Sequence, residues 1–199
     1  AKLILVDTPG IDEVGGEIRE TLARDVARRA DLILFVVSSD MQRREFEALA
    51  ELREAQTMAM DKLPNSGQAV IIDIGEGKDI HPKNKVDVGM RLARWALAKQ
   101  YNQTIDFQSP RYESMKKAES RIVLKFANRG KAWRPFDVKE PIGFTIAGED
   151  KKFFNADAKI LEDGRIQVFS ASVPNPVAVR YAWAQNPICN MFADNGLPL

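Results

Sequence analysis

The sequence holds a single cysteine, Cys189, and a single histidine, His81, among 199 residues. One cysteine excludes an internal disulfide framework and any thiolate metal cluster. One histidine means that imidazole-dependent catalysis has to use His81. Charge of one sign is also lacking: 29 Lys and Arg stand against 28 Asp and Glu, a formal net charge of +1. That balance supplies no general field for nucleic acid or an anionic membrane surface. No apolar run approaches the length needed to cross a bilayer, and the first residues lack a signal-peptide layout. Neither a metal, a cofactor, a nucleic acid nor a membrane is therefore expected. Apolar material is ample, with hydrophobic residues at 45% and charged residues at 29%, enough for a sizeable core.

The pattern changes near residue 102. Before it, Lys2 to Val6, Leu32 to Val37 and Ala69 to Ile74 are short apolar runs expected to form buried strands. Ile18, Leu22 and Val26 recur four apart, as on one face of a helix. Phe46, Leu49 and Leu52 mark a second helix stopping near Leu63-Pro64-Asn65. Val88, Leu92, Trp95 and Ala96 mark a third, with Asn84 placed to cap it. The fold class expected is α/β: a parallel β-α-β-α-β-α layer over 1–102, followed by a small antiparallel sheet or sandwich over 103–199. In that second part Arg121 to Phe126, Ile142 to Ile146, Phe153 to Leu161, Arg165 to Phe169 and Val177 to Trp183 read as strands. Asp163-Gly164 is a hairpin signal, because both residue types tolerate positive φ.

Two segments carry possible chemistry. Leu3-Ile4-Leu5-Val6-Asp7-Thr8-Pro9-Gly10 is an apolar run ending in Asp-x-x-Gly. Asp7 at a strand tip can hold magnesium through water, and the Gly10 amide can approach a phosphate without a Cβ in the way. An ordinary Pro-Gly turn explains the same four residues. With Ile11-Asp12, a charged helix and Arg29-Ala30-Asp31-Leu32-Ile33-Leu34-Phe35-Val36-Val37, the stretch to about residue 50 resembles the switch II segment and next strand of Era-like and dynamin-like GTPases. That resemblance implies a GTP-binding fragment using Asp7 and Gly10. The phosphate cradle Gly-x-x-x-x-Gly-Lys-Ser/Thr is not matched: Gly77-Lys78 has Ile72 and Asp79 at the flanking positions, and Gly130-Lys131 has Lys125 and Ala132. Asn84-Lys85-Val86-Asp87 matches the guanine-reading Asn-Lys-x-Asp, but a helix cap at Asn84 with Asp87 in the first turn accounts for it equally.

The second segment is Ile71-Ile72-Asp73-Ile74-Gly75-Glu76-Gly77-Lys78-Asp79-Ile80-His81-Pro82, running from an expected strand through a Gly-containing loop to a helix start. Loops at the carboxyl ends of parallel strands are where α/β proteins place ligands. His81 there can serve as a general base, with Asp79, Asp73 or Asp87 as its carboxylate partner. A loop or capping role explains a histidine beside proline as well.

Longer stretches carry a family resemblance. Leu52-Arg53-Glu54-Ala55-Gln56, Leu63-Pro64-Asn65-Ser66-Gly67, the run Asp73 to Gly89, Gly143-Phe144-Thr145-Ile146-Ala147-Gly148 and Pro176 to Asn190 resemble the C-terminal part of sialate O-acetylesterases, from about residue 51 to 199. The resemblance implies an SGNH-type serine hydrolase that removes acetyl groups from O-acetylated sialic acid or a related acetylated sugar. It implies His81 as the base and Asp79 as its acidic partner. It also implies a serine nucleophile in a Gly-rich setting, which Ser38, Ser39, Ser66, Ser109, Ser114, Ser120, Ser170 and Ser172 all lack. Ser38 and Ser39, at the tip of the second expected strand, are the positional candidates. The two resemblances meet between Ala48 and Leu52, so the sequence reads as chimeric, its helical period continuing through the join. A non-catalytic β-rich interaction module is the remaining alternative. For that module Trp133, Phe153, Phe154, Tyr181 and Trp183 read as core rather than as a sugar platform.

Overall fold

The structure, a computed structural model, describes residues 33–37, 46–76, 83–184 and 186–199, with the backbone alone considered for 33–37 and 46–52. Strand β1 (Ile33–Val37) is followed by helix α1 (Phe46–Met60), strand β2 (Ser66–Val70) and helix α2 (Lys85–Lys99). β1 and β2 pair in parallel, Ile33 opposite Ser66 and Val37 opposite Val70. The six-element parallel layer is not shown, because its first expected strand and helix lie outside the described residues. Among the described residues the layer comprises this one parallel pair and two helices.

β2 sits earlier than the apolar run suggests. The strand is Ser66–Val70, and Ile71 and Ile72 lie beyond its end, both buried. Burial of these side chains, rather than strand pairing, is what their apolar character reports. α2 matches the expected span. Asn84 caps it by accepting from the Asp87 N–H at 3.1 Å, and its side-chain amide donates to Asp87 Oδ2 at 2.7 Å. Asn84 and Asp87 thus face each other, and the helix cap, not guanine recognition, accounts for the Asn-Lys-x-Asp match.

The remainder is antiparallel. Strands β3 (Arg111–Ala118), β4 (Arg121–Ala127), β7 (Asp157–Ile160) and β8 (Ile166–Phe169) form a sheet in the order β3-β4-β8-β7. Strands β5 (Phe144–Ala147), β6 (Phe153–Asn155) and β9 (Ala178–Tyr181) form a second, in the order β6-β5-β9. Alternate residues Ile122, Leu124 and Phe126 of β4 turn inward to meet Ile166 and Val168 of β8 and Phe144 and Ile146 of β5 in one core. Ile146, Ile166 and Val168 are fully buried, each contributing roughly 1.5–3 kcal/mol.

Two differences from the sequence expectation have clear causes. Phe153 to Leu161 is not one strand: the chain leaves the β5 sheet after Asn155 and enters the β8 sheet at Asp157, with the Ala156 N–H donating to Phe144 O at 3.1 Å. β3 carries no apolar alternation because six of its residues, 112–117, are exposed, and its pairing with β4 defines it. The Asp163-Gly164 turn joins β7 to β8 as expected, with Gly164 at φ +81°. Trp133 and Tyr181 pack with the core as expected, whereas Phe154 is exposed.

Candidate functional site

Parallel strands in α/β layers present their carboxyl ends to ligands, so the end of β2 is where a site belongs. Its geometry is set by a charge at a core position. Arg91 lies on the inward face of α2, one turn before Trp95, and both are buried. Its guanidinium takes Asp73 in a fork, Nη1 to Oδ1 and Nη2 to Oδ2 each at 2.6 Å, while Nη1 also donates to Val70 O at 2.6 Å. The two side chains are only 9% and 11% exposed. Trp95 adds a second tie, its Nε1–H donating to Gln68 O at 2.9 Å. Together these bonds fix α2 to the end of β2 and to the turn carrying Asp73.

Beyond that turn, Glu76 and Lys83 form an ion pair at 2.9 Å. These two residues flank 77–82, so both ends of the segment bearing Asp79 and His81 are held close. Asp79 and His81 lie outside the described residues, as do Asp7, Gly10, Ser38 and Ser39. Of the three carboxylates considered as partners for His81, Asp73 has both oxygens engaged by Arg91, and Asp87 is engaged by the capping Asn84.

The second half of the chain supplies the other wall. Arg53 of α1 donates from Nη2 to Ala184 O at 2.9 Å. The Tyr181 ring packs on Phe144 at 4.7 Å, and its hydroxyl oxygen accepts from the Met191 N–H at 3.1 Å. Burial pushes the Tyr181 phenol well above its ordinary range, and the nearby Cys189 and Asp73 charges push the same way. Burial likewise raises the Cys189 thiol, against the lowering effect of its hydrogen bond with Tyr181. A neutral, half-buried thiol is a poor nucleophile, so Cys189 is a packing residue. Burial lowers the Arg53 pKa. Asn190 is 3% exposed and organises the neighbouring loop: Oδ1 accepts from the Ile142 N–H at 2.8 Å, and Nδ2 donates to Glu140 O at 2.9 Å.

The chain is similar to a carbohydrate acetylesterase. The match is to a crystal structure of such an enzyme from Xanthomonas citri, with 38% sequence identity, a TM-score of 0.73 and coverage of 83% of this chain. The chain spans 38% of that acetylesterase's own length. No family model matches the chain, and a search of curated proteins returned no match. The esterase-like relationship expected from the C-terminal motifs is supported at the level of carbohydrate acetylesterases. No comparison supports the GTPase resemblance of residues 1 to about 50 or the chimeric reading. Sialic acid as the specific substrate is likewise not shown.

Sequence reasoning missed Arg91. Its position three after Val88 and four before Trp95 puts it on the buried stripe, and that spacing was the available signal. An arginine on such a stripe demands a partner, since a buried charge is stable only when paired. Among the described serines, Ser66 donates its Oγ to Leu63 O at 2.8 Å, and Ser114 lies exposed on β3. Among the described residues, no group of three or more His, Cys, Asp or Glu is placed to hold a metal, and no helix is long and apolar enough to cross a membrane.

Proposed function

We propose that the chain acts in the hydrolysis of acetyl esters on carbohydrates, with His81 as general base and Asp79 as the carboxylate that orients it. The observation carrying this reading is the 38% identity to a carbohydrate acetylesterase over 83% of the chain. The braced end of β2 agrees with it. Ester hydrolysis needs a positioned base, and the buried Arg91–Asp73 pair joins the turn before the segment that bears His81 to the helix after it, to which the exposed Glu76–Lys83 pair adds little. In the reaction His81 takes the proton from the nucleophile as the acyl carbon is attacked and returns it to the leaving sugar hydroxyl. Asp79 keeps the imidazole in the tautomer that accepts that proton. Ser38 and Ser39 are positional candidates for the attack in a sequence that lacks a recognisable nucleophile segment, and the substrate is an O-acetylated sugar, with O-acetylated sialic acid as the specific member. The boundary near residue 102 is part of the same proposal: 1–102 carries the chemistry and 103–199 the β-rich support.

Turnover of a chromogenic acetyl ester tests the reading. Release is expected from the unaltered chain and is expected to fall by at least about a hundredfold in His81→Ala, the scale of general-base catalysis. Turnover that survives His81→Ala unchanged, or none from the unaltered chain, would overturn it.

A further inference from the structure

Several large apolar side chains stand on the surface around one buried amide. Asn190 accepts at Oδ1 from the Ile142 N–H at 2.8 Å, and its Nδ2 lies 3.3, 3.4 and 2.9 Å from the carbonyl oxygens of Phe136, Val138 and Glu140. Its backbone oxygen accepts from the Phe136 N–H at 2.8 Å. The segment 136–142 is thus wound round Asn190 with carbonyl groups inward and apolar side chains outward. Phe136 is 71% exposed, Val138 43% and Ile142 36%. Ile188 joins them from the other side of the hub. It is 83% exposed, and its carbonyl oxygen is 2.9 Å from where a Cβ on Gly143, next to Ile142, would lie. The half-buried Phe192 ring, 6.4 Å from that of Phe136, extends the patch.

Exposed apolar side chains scattered singly need no account, but a group gathered on one hub does. The hub is also stiff. Asn190 is almost fully buried, and Asp137, at φ +71°, is the centre of a three-residue turn closed by the Val138 N–H on Phe136 O at 2.9 Å. That turn is rare and strained for a residue with a Cβ. A rigid apolar surface loses little conformational freedom when another surface covers it, which favours association.

The rim says what covers it. Arg134, Asp137, Lys139 and Glu140 are exposed, two of each sign, and none is paired with a described residue. A rim built for nucleic acid or an anionic lipid surface would be positive throughout. Unpaired charges of both signs are what two-fold self-pairing requires. The surface then meets itself, and each cation can reach an anion of the other copy.

We propose that this patch is the contact surface between two copies of the chain, with Phe136 and Ile188 at its centre and the charges of 134–140 at its rim. None of these residues lies in 73–83, so the proposal stands apart from the acetyl-ester reading, and failure of one leaves the other in place.

Sedimentation equilibrium of the full chain tests it, in reductant so that Cys189 cannot cross-link copies. The patch is small, so a weak dimer is expected, dissociating at about 10–100 µM. Ile188→Asp and Phe136→Asp each place a charge at the centre and are each expected to weaken the dimer at least about thirtyfold, the scale of a hot-spot residue. Both positions are exposed, so a urea midpoint unchanged in dilute solution is expected to show that the fold persists. Lys139→Glu, which reverses a rim charge, is expected to weaken the dimer about fivefold. Met115→Asp, on the exposed edge strand β3, is expected to leave it intact. A monomer at all concentrations up to about 500 µM, or association unchanged in Ile188→Asp and Phe136→Asp, would overturn the proposal. So would a dimer lost in Met115→Asp alone, which would place the contact on the β3 edge. Unchanged association in Lys139→Glu would overturn the charge-pairing part.

Discussion

Replacing Arg91 by alanine strands the Asp73 carboxylate in a site where it is 11% exposed and where three bonds from one guanidinium have been removed. Removing one partner of a buried ion pair costs roughly 3–5 kcal/mol, most of it from the unpaired charge left behind. Against a total stability of about 5–15 kcal/mol for a domain, that is from about a fifth to the whole of it. Arg91→Lys retains the charge but lacks the planar fork, so it loses the bidentate geometry and the simultaneous bond to Val70 O, and an intermediate cost of about 1–3 kcal/mol is expected. Urea denaturation of the full chain measures both. The double variant Asp73→Asn with Arg91→Met is expected to be less destabilised than the sum of its single variants, because it leaves no orphaned charge. The same variants are expected to move the imidazole resonance of His81, unambiguous because it is the single histidine. A cost below about 1 kcal/mol for Arg91→Ala, or strict additivity in the double variant, would refute the reasoning.

Two further outcomes follow from the packing of the second half. Tyr181 and Cys189 are both held protonated in the fold by burial, so at alkaline pH the unfolded chain loses those protons first. Stability is therefore full below the ordinary thiol and phenol pKa values, about 8.5 and 10, and falls as pH rises past each. Urea midpoints measured from pH 7 to 11 are expected to drop, and Cys189→Ala is expected to shift the onset to higher pH; a flat profile would contradict this. Gly143 has φ +98°, and a Cβ there would lie 2.9 Å from both Cys189 Cβ and Ile188 O. Gly143→Ala is expected to cost at least about 1 kcal/mol, since backbone strain and a backbone clash add, and an unchanged thermal midpoint would contradict that packing.

Legibility in the sequence followed the physics of each element. α2 was readable because a capping residue, a periodic apolar face and burial of Trp95 and Ala96 point the same way. β8 was readable because it buries one face, which leaves period-two alternation in the sequence. β4 and β5 were readable because their apolar runs, with Ile122-Val123-Leu124 and Ile146-Ala147 buried in succession, mark strands covered on both faces. β3 was not, because an edge strand exposed over 112–117 has no apolar period and is specified by its partner. The end of β2 was misplaced because Ile71 and Ile72 are buried in a turn, and burial leaves the same mark as a strand. At the site, the position of His81 after β2 and the family resemblance were visible in the residues. The Arg91–Asp73 pair was visible only as an arginine at a buried helical spacing, since its partner is 18 residues away.

The central claim is that His81 serves as the base for removing acetyl groups from a sugar. Acetate release from an O-acetylated sugar, followed by NMR across pH 5 to 9, tests it most directly. The account predicts that release by the unaltered chain rises with pH, as a base that works only unprotonated requires, and that His81→Gln abolishes it. Release that is independent of pH in that range, retained by His81→Gln, or absent from the unaltered chain would contradict it.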